Sequence, residues 1–295
     1  MAQKIIVTHD GTFHADDVFA VAVLLTLLKG GAKVTRTRVR EKIAAADYVV
    51  DVGEEYAPER NRFDHHQREG AGVRKNGIPF AAFGLVWKQY GEKIAGGRDI
   101  AEMIDTTLVQ PLDARDNGVS LCGEFLCGIA PYELSDAVRA LVPSWREEGV
   151  SIQARFEEAV LFAERVLTYE IERARARIEG ERQVRAALET AEDKRLIFLD
   201  GDYPWKDMLA RFPEPLFVVH PQDTVWYLEC VRDNPHMFVN RKNLPEGWAG
   251  LRDEELAQIT DVPDAVFCHR NRFMAVAKSK EGALALAKLA LQSDS

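Results

Sequence analysis

The sequence predicts an α/β fold: a parallel-sheet N-terminal domain, a long helical bridge and a smaller α+β C-terminal domain. Three observations support it. Strand-like and helix-like segments alternate over residues 1–60, one apolar stripe at helical spacing runs through residues 151–188, and short β-like segments dominate after Lys194. Such alternation is typical of a parallel sheet joined by helical crossovers. We place the domains at residues 1–130, 131–192 and 193–295.

The individual elements follow from local periodicity. Ile5-Ile6-Val7 is a short apolar strand, and Asp17 to Leu28 carries apolar residues at helical spacing before Gly30-Gly31 ends the helix. The later segments are predicted from the same two periodicities and from turn residues. They are strands at 33–39 and 48–51, helices at 41–46, 79–90, 99–112 and 151–188, strands at 196–199, 216–219, 225–231, 265–268 and 273–277, and helices at 252–259 and 280–291.

Bulk properties limit the classes of function. The chain has 295 residues and a formal net charge of -9, which argues against non-specific coating of nucleic acid but allows a polyanionic substrate beside bound divalent ions. No apolar run approaches the roughly 20 residues that span a bilayer, so we expect no membrane partner. Met1 to Lys4 leads directly into a strand, so we expect no signal peptide and a cytoplasmic protein.

Histidines and aspartates gather at predicted strand ends. His9, His14 and Asp16 follow the first strand, Asp51 follows Val49-Val50, and Asp64-His65-His66 follows Arg62-Phe63. In open α/β sheets ligands bind outside the carboxyl ends of the strands, so these side chains are expected to converge. Imidazole and carboxylate without thiolate suit Mn²⁺ or Mg²⁺ better than Zn²⁺ or Fe. The pattern predicts a metal site holding two divalent ions, with Mn²⁺ favoured and Mg²⁺ as the alternative.

Three motifs carry a resemblance to the Myg-type metal-dependent hydrolases, a branch related to the DHH phosphoesterases, which include RecJ-type exonucleases, nano-RNases and family II pyrophosphatases. The motifs are residues 8–17, residues 50–53 and residues 62–68. The similarity covers nearly the whole chain. It continues through residues 77–79, 84–87, 113–118, 204–206, 240–242, 244–248, 250–256 and 281–284.

The resemblance implies a role for each site residue. His9 and His14 would bind one metal and Asp16 the other, Asp51 would bridge the two ions, and His65 would be a further ligand. Asp64 would orient His65, and His66 would contact the scissile phosphate. The last ligand is expected at Asp116, with Asp113 as the alternative. His14 stands where the wider superfamily has an aspartate, which puts the identity of the metal in question more than metal binding.

The implied activity is two-metal phosphodiester hydrolysis of RNA or short oligonucleotides, as a 3′→5′ exonuclease. A metal would activate a bridging water while both ions stabilise phosphoryl charge. Two other functions stay open: a small-molecule phosphoesterase acting on pyrophosphate or a dinucleotide, and a non-catalytic, metal-stabilised regulatory protein. Oligomeric state is also open, with a homodimer among the partners considered.

Candidate substrate contacts lie in the third motif and in the C-terminal domain. The chain departs from the resembled family at Ala275-Val276, where a Gly-Gly element is expected after Phe273. If that element approaches phosphate through its backbone, side chains there would alter substrate binding. The candidates are Arg68, Arg241, Lys242, Arg252 and His269.

Overall fold

A computed structural model describes residues 3–123 and 128–293 of the chain. The described residues form two compact units, which divide between Arg175 and Ala176 inside one long helix. The three-part division at residues 130 and 192 stays a prediction. The strands are β1 Lys4–Thr8, β2 Ala32–Arg36, β3 Tyr48–Val50, β4 Tyr56–Ala57, β5 Arg62–Phe63, β6 Leu196–Phe198, β7 Phe217–Gln222, β8 Val225–Cys230, β9 Ala265–Cys268 and β10 Met274–Ala277. The helices are α1 Ala15–Leu27, α2 Arg40–Ala45, α3 Ala82–Ala95, α4 Arg98–Ile104, α5 Gln110–Asp116, α6 Leu134–Arg139, α7 Ile152–Thr190, α8 Lys206–Leu209, α9 Asp253–Thr260 and α10 Lys280–Gln292.

The predicted α/β class is confirmed, and the first sheet has the order β2-β1-β3-β5-β4. Four of its strands are parallel, with β1 between β2 and β3 and with β3 beside β5. The sheet is not purely parallel, because β4 pairs with β5 in the antiparallel sense at the edge. A two-residue strand leaves too little alternation for a sequence pattern to reveal it.

Helix α1 lies at the centre of the first unit. Its residues from Ala15 to Leu24 are buried, so the helix is apolar nearly all round, as a helix enclosed by its neighbours must be. It packs with Ile6 and Val50 from the sheet and with Phe83 and Leu85 from α3 in one hydrophobic core. This core fixes the first turn of α1 at the carboxyl end of β1.

The helical run after α3 contains an irregularity that the sequence did not indicate. Residues 99–112 were predicted as one helix, but a π-helical segment at Asp105–Val109 separates α4 from α5. A π-helical turn changes the direction in which later side chains project. Asp113 and Asp116, both candidate ligands, lie in α5 just after it.

The second unit contains a mixed sheet of order β6-β7-β8-β10-β9, in which only β6 and β7 pair in parallel. Its core is formed by residues such as Phe217, Leu228, Ala275 and Leu286. The second unit thus combines helices and strands, and the bounds predicted for the C-terminal domain stay a prediction. None of the helices in the described residues is long and apolar enough to cross a membrane.

Candidate metal centre

Three adjacent parallel strands bring the predicted motifs together. His9 follows β1, Asp51 follows β3 and Asp64 follows β5, and these strands are neighbours in the sheet. Because their carboxyl ends share one edge, residues more than 50 positions apart in sequence meet there. The convergence expected from the strand ends is therefore what the structure contains.

Asp51 lies at the middle of this cluster. Its Oδ2 is 3.4 Å from His9 Nε2, and its Oδ1 is 3.4 Å from His65 Nε2 and from His66 Nδ1. The backbone of Asp51 has a φ of 54°, in the left-handed region that residues other than glycine seldom adopt. Strained backbone of this kind is concentrated at functional sites, where the surrounding structure holds it in place.

The first group of potential ligands contains His9, His14, Asp17 and Asp51, whose ligand atoms all lie within 4.8 Å of one another. Asp17 was not among the predicted ligands, whereas Asp16 was. One oxygen of Asp17 accepts a hydrogen bond from the His14 backbone N–H at 2.7 Å, and the other lies 3.5 Å from His9 Nε2. The adjacent Asp16-Asp17 pair was a visible signal, but it did not reveal which carboxylate faces His9.

The second group joins Asp16, His65 and Asp116. His65 Nε2 is 3.3 Å from Asp116 Oδ2 and 3.8 Å from Asp16 Oδ2. The carboxylate of Asp16 also accepts hydrogen bonds from the backbone N–H groups of Ala82 and Phe83, at the N-terminus of α3. Those donors fix Asp16 in place, since a helix N-terminus stabilises negative charge. A third group, Asp51, His65 and His66, shares members with both of the others.

Asp64 organises the Asp-His-His turn. Its carboxylate accepts hydrogen bonds from the backbone N–H groups of Glu54, His65 and His66. The imidazole that it contacts is that of His66, whose Nδ1 lies 2.7 Å from Asp64 Oδ1, so its ring partner differs from the expected His65. The side chain of His66 is 59% exposed, so its ring is oriented by Asp64 but remains open to a ligand.

Asp113 is buried and engaged elsewhere. Its Oδ1 accepts a hydrogen bond from the Gly84 backbone N–H at 3.0 Å, and its Oδ2 lies 2.6 Å from Arg74 Nη1. A Cβ atom at Gly84 would overlap this carboxylate, so the contact requires glycine. Among the described residues, Asp113 is in none of the three groups of potential ligands, whereas Asp116 is in one. The sequence did not indicate this contact of Arg74, because an arginine in a polar, glycine-containing loop is usually exposed to solvent.

Burial and mutual repulsion set the charge of the site. Burial, and after it the carboxylates of Asp51 and Asp116, raises the pKa of Asp16 well above its usual value. Burial raises the pKa of Asp17 to about 7. Burial also opposes ionisation of Asp51, but the nearby imidazoles of His65 and His9 outweigh it and lower the pKa of Asp51.

The two buried imidazoles complement these carboxylates. Burial disfavours the charged form of His9, yet contacts with Asp51 and Asp17 outweigh burial and raise the pKa of His9. The pKa of His65 is raised in the same way, against burial, by Asp51 and Asp116. The charges of these carboxyl and imidazole groups therefore depend on one another.

The residues present fit divalent cations. Asp17 Oδ2, Asp51 Oδ1 and His65 Nε2 are buried and have no hydrogen-bond partner. Buried polar atoms are normally satisfied, and those that are not call for an unrecorded water or ion. Carboxylate and imidazole are the ligand types that suit Mn²⁺, Mg²⁺ and related ions. The unpartnered atoms are thus of the right type to bind the ions predicted from the sequence.

Two of the predicted substrate contacts are anchored to the second unit. The Arg241 guanidinium donates to the carbonyls of Phe212, Pro215 and Ala210, and its side chain is only 7% exposed. Lys242 Nζ donates to the carbonyls of Leu291 and Ser293 at the end of α10. Most donors of Arg241 and Lys242 are therefore engaged within the second unit. Both stabilise loop and helix ends, as lysine and arginine often do.

The other predicted substrate contacts, Arg252, His269 and Arg68, have different surroundings. The Arg252 guanidinium lies 4.4 Å from the centre of the Phe267 ring and is exposed. His269 Nδ1 accepts a hydrogen bond from the Asn271 backbone N–H at 3.0 Å, which closes the turn before β10. Arg68 is exposed in the first unit. Ala275 and Val276 are buried in β10, between β8 and β9.

Comparisons with known proteins show the family of this chain. Residues 5–291 match the family model named MYG1_exonuc, described as "Uncharacterised protein family (UPF0160)". The human protein named MYG1 exonuclease is 33% identical over 328 residues, which covers 99% of this chain and 86% of that protein. The MYG1 protein of Chlamydia trachomatis is 33% identical, covering 93% of this chain and 92% of its own length.

The chain therefore belongs to this MYG1 family. Membership confirms the resemblance drawn from the three motifs, and the chain is a hydrolase, as predicted. A solved structure titled as an exopolyphosphatase-related protein from Bacteroides fragilis covers 98% of this chain at 11% identity, with a TM-score of 0.24. A likeness that weak supports no conclusion.

Proposed function

We propose that this chain is a two-metal phosphodiesterase that hydrolyses RNA or short oligonucleotides as a 3′→5′ exonuclease. The observation that carries the proposal is the position of Asp51, whose two carboxylate oxygens face different histidines, His9 and His65, each at 3.4 Å. A carboxylate between two ligand groups is what a pair of metal ions requires. Relatives that carry the name MYG1 exonuclease, at 33% identity in rat and human, support the choice of nucleic acid as substrate.

The proposed ligands fall into two sets around Asp51. His9, His14 and Asp17 would hold one ion, while Asp16, His65 and Asp116 would hold the other. Asp17 enters the set because its buried Oδ2 has no hydrogen-bond partner. Asp113 is assigned a supporting role instead, since Gly84 and Arg74 occupy its two oxygens.

The protein's own residues would orient the substrate. When bound, the ions would supply a water of lowered pKa and stabilise charge on the phosphoryl oxygens. His66 would contact the scissile phosphate, because Asp64 holds its Nδ1 and leaves the rest of the ring accessible. Hydrolysis forms one bond between the water oxygen and phosphorus and breaks the bond from phosphorus to a ribose oxygen.

The test is a substrate panel on the metal-loaded enzyme. Labelled single-stranded RNA, single-stranded DNA, a dinucleotide and pyrophosphate are each incubated with Mn²⁺ or Mg²⁺. We expect stepwise shortening of RNA from its 3′ end, fastest with Mn²⁺ and abolished by a chelator. Hydrolysis of pyrophosphate or the dinucleotide alone would replace the proposal with the small-molecule alternative. No hydrolysis of any substrate by fully metal-loaded protein would favour the regulatory alternative.

The choice of last ligand has its own test. Asp116→Ala should lower the metal content measured by elemental analysis, because it removes a proposed ligand. Asp113→Asn keeps the shape of the side chain and one acceptor oxygen, and it should leave metal content close to that of the wild type. The opposite pattern would reassign the ligand to Asp113.

A further inference from the structure

A small cavity in the second unit is lined by two cations and an aromatic ring. Its walls include Trp205, Lys206, Glu229, Arg232 and Pro235. The enclosed space is only about 20 Å³, room for about one water molecule, so a ligand would lie across the mouth of the cavity rather than fill it.

The lysine of this cavity is held in place by buried polar groups. Lys206 Nζ lies 3.1 Å from Glu229 Oε2, and the other oxygen of Glu229 lies 3.4 Å from His220 Nε2. His220 is only 2% exposed, and its Nε2 has no hydrogen-bond partner. Burial opposes ionisation of Glu229, but His220 and Lys206 outweigh it and lower the pKa of Glu229. The carboxylate therefore stays charged and positions an ammonium that is itself 60% exposed.

Each cation of the cavity lies over an aromatic ring. Lys206 Nζ is 5.3 Å from the centre of the Trp205 ring, and the Arg232 guanidinium carbon is 5.0 Å from the centre of the Phe238 ring. Arg232 Nε and Nη1 bond to Asn240 and to the Met237 carbonyl. These bonds fix the guanidinium plane against the ring.

The loop beside the cavity exposes Phe238. A backbone bridge between Arg232 and Asn240 closes this loop, and Pro235 within it also lines the cavity. Phe238 is 89% exposed, and its neighbours Met237 and Val239 are exposed as well. The Phe238 ring adds nothing to the hydrophobic core in this position. Only a bound ligand would bury it.

We infer that Trp205, Lys206, Arg232 and Phe238 form a subsite for single-stranded RNA, in which the two cations contact backbone phosphates and Phe238 stacks on a base. The inference rests on the proposed function, because it concerns binding of the same polymer. Cationic grooves combined with aromatic stacking surfaces are the general means of binding single strands without reading their sequence. Arginine over an aromatic ring adds a surface on which a base also stacks.

The experiment measures binding without turnover. Full-length protein is titrated against a short fluorescein-labelled single-stranded RNA in a chelator, and fluorescence anisotropy gives Kd at several salt concentrations. Phe238→Ala should raise Kd at least about fivefold, the lower end of what one stacked base contributes. Lys206→Gln and Arg232→Gln should each raise Kd and reduce the slope of log Kd against log salt by about 0.7, the loss of one phosphate contact.

Matched controls are available in the same unit. Lys280 lies 4.2 Å from the centre of the Phe198 ring but does not line the cavity, so Lys280→Gln should change neither Kd nor the slope. Ile259 is 54% exposed, and Ile259→Ala should behave like the wild type. Lys206→Arg keeps the charge and should restore most of the binding lost in Lys206→Gln.

Two outcomes would overturn the subsite. One is unchanged RNA binding in Phe238→Ala, Lys206→Gln and Arg232→Gln, which would leave Phe238 for a protein partner. The other is an equal loss in the Lys280→Gln and Ile259→Ala controls. Either result, together with normal metal-dependent RNA hydrolysis, would remove the subsite and keep the proposed function. If the wild type binds RNA but does not hydrolyse it, the proposed function is removed and the subsite is kept.

Discussion

Replacing Arg74 with methionine should destabilise the metal-free protein by an amount that depends on pH. Arg74 Nη1 lies 2.6 Å from Asp113 Oδ2, Nη2 lies 3.0 Å from Asp105 Oδ1, and the guanidinium carbon is 4.0 Å from the centre of the Phe80 ring. Asp113 is fully buried. Methionine retains apolar contact with Phe80 but leaves the Asp113 carboxylate with no cation.

The pKa of Asp113 gives the magnitude. Burial raises this pKa to about 7, even though Arg74 and the Gly84 N–H oppose the shift. At pH 8 the ionised form in the wild type is therefore favoured over the protonated form by about 1.4 kcal/mol, the value of one pH unit. In the variant, Asp113 takes up a proton, because its carboxylate would otherwise be an unpaired buried charge. The variant therefore loses the roughly 1.4 kcal/mol that ionisation contributes in the wild type at pH 8. At pH 5 the carboxyl is protonated in both proteins, and the loss is limited to hydrogen bonding, about 1 kcal/mol.

The sign follows from proton linkage. A folded-state pKa above the unfolded value makes the folded state bind more protons, so the stability that the group contributes is present below the unfolded pKa and is lost as pH rises through the folded pKa. In the wild type that loss ends near pH 7, whereas in Arg74→Met it continues to higher pH. The free energy of unfolding should thus differ from the wild type by about 1.4 kcal/mol more at pH 8 than at pH 5.

The assay is unfolding by urea in the presence of a chelator at both pH values. Tryptophan fluorescence and circular dichroism monitor the unfolding. Arg98→Met is the matched control, since Arg98 is paired with Glu102 on the surface, and it should show no measurable change at either pH. An equal destabilisation by Arg74→Met at pH 5 and pH 8 would refute the assignment of Asp113 as a buried titrating carboxyl that Arg74 keeps charged.

Three further predictions concern the metal centre. Asp51→Asn should leave the fold intact but lower the metal content and reduce turnover at least about 100-fold, the upper end of what outer-shell partners contribute. Elemental analysis and RNA hydrolysis check it, and full activity would contradict a bridging role. His66→Ala should keep its metal and lose about 100-fold or more in turnover, whereas His65→Ala should lose metal as well. The reverse pattern would exchange their roles. Asp17→Asn should weaken one of two metal-binding steps in calorimetric titration, and two unchanged steps would remove Asp17 from the ligands.

The strand ends and their side chains could be read directly from the sequence. Ile5 to Val7, Tyr48 to Val50 and Arg62-Phe63 are apolar or β-favouring segments, and each is followed by the polar residue that the structure places at the sheet edge. Local periodicity carries this information, because a strand and a helix impose different spacings on apolar residues. The parallel order of the strands then brings His9, Asp51 and Asp64 to one edge.

The tertiary structure decides which partner each charged side chain contacts. Asp16 and Asp17 are adjacent in sequence, but successive residues of a helix project about 100° apart, so one meets the N-terminus of α3 and the other faces His9. Arg241 was expected to contact phosphate and instead binds three carbonyls, which only the folded loop brings within reach. Residue type and spacing indicate that a charge is present. Its partner depends on which backbone groups the fold leaves unsatisfied nearby, and that is a property of the packed chain.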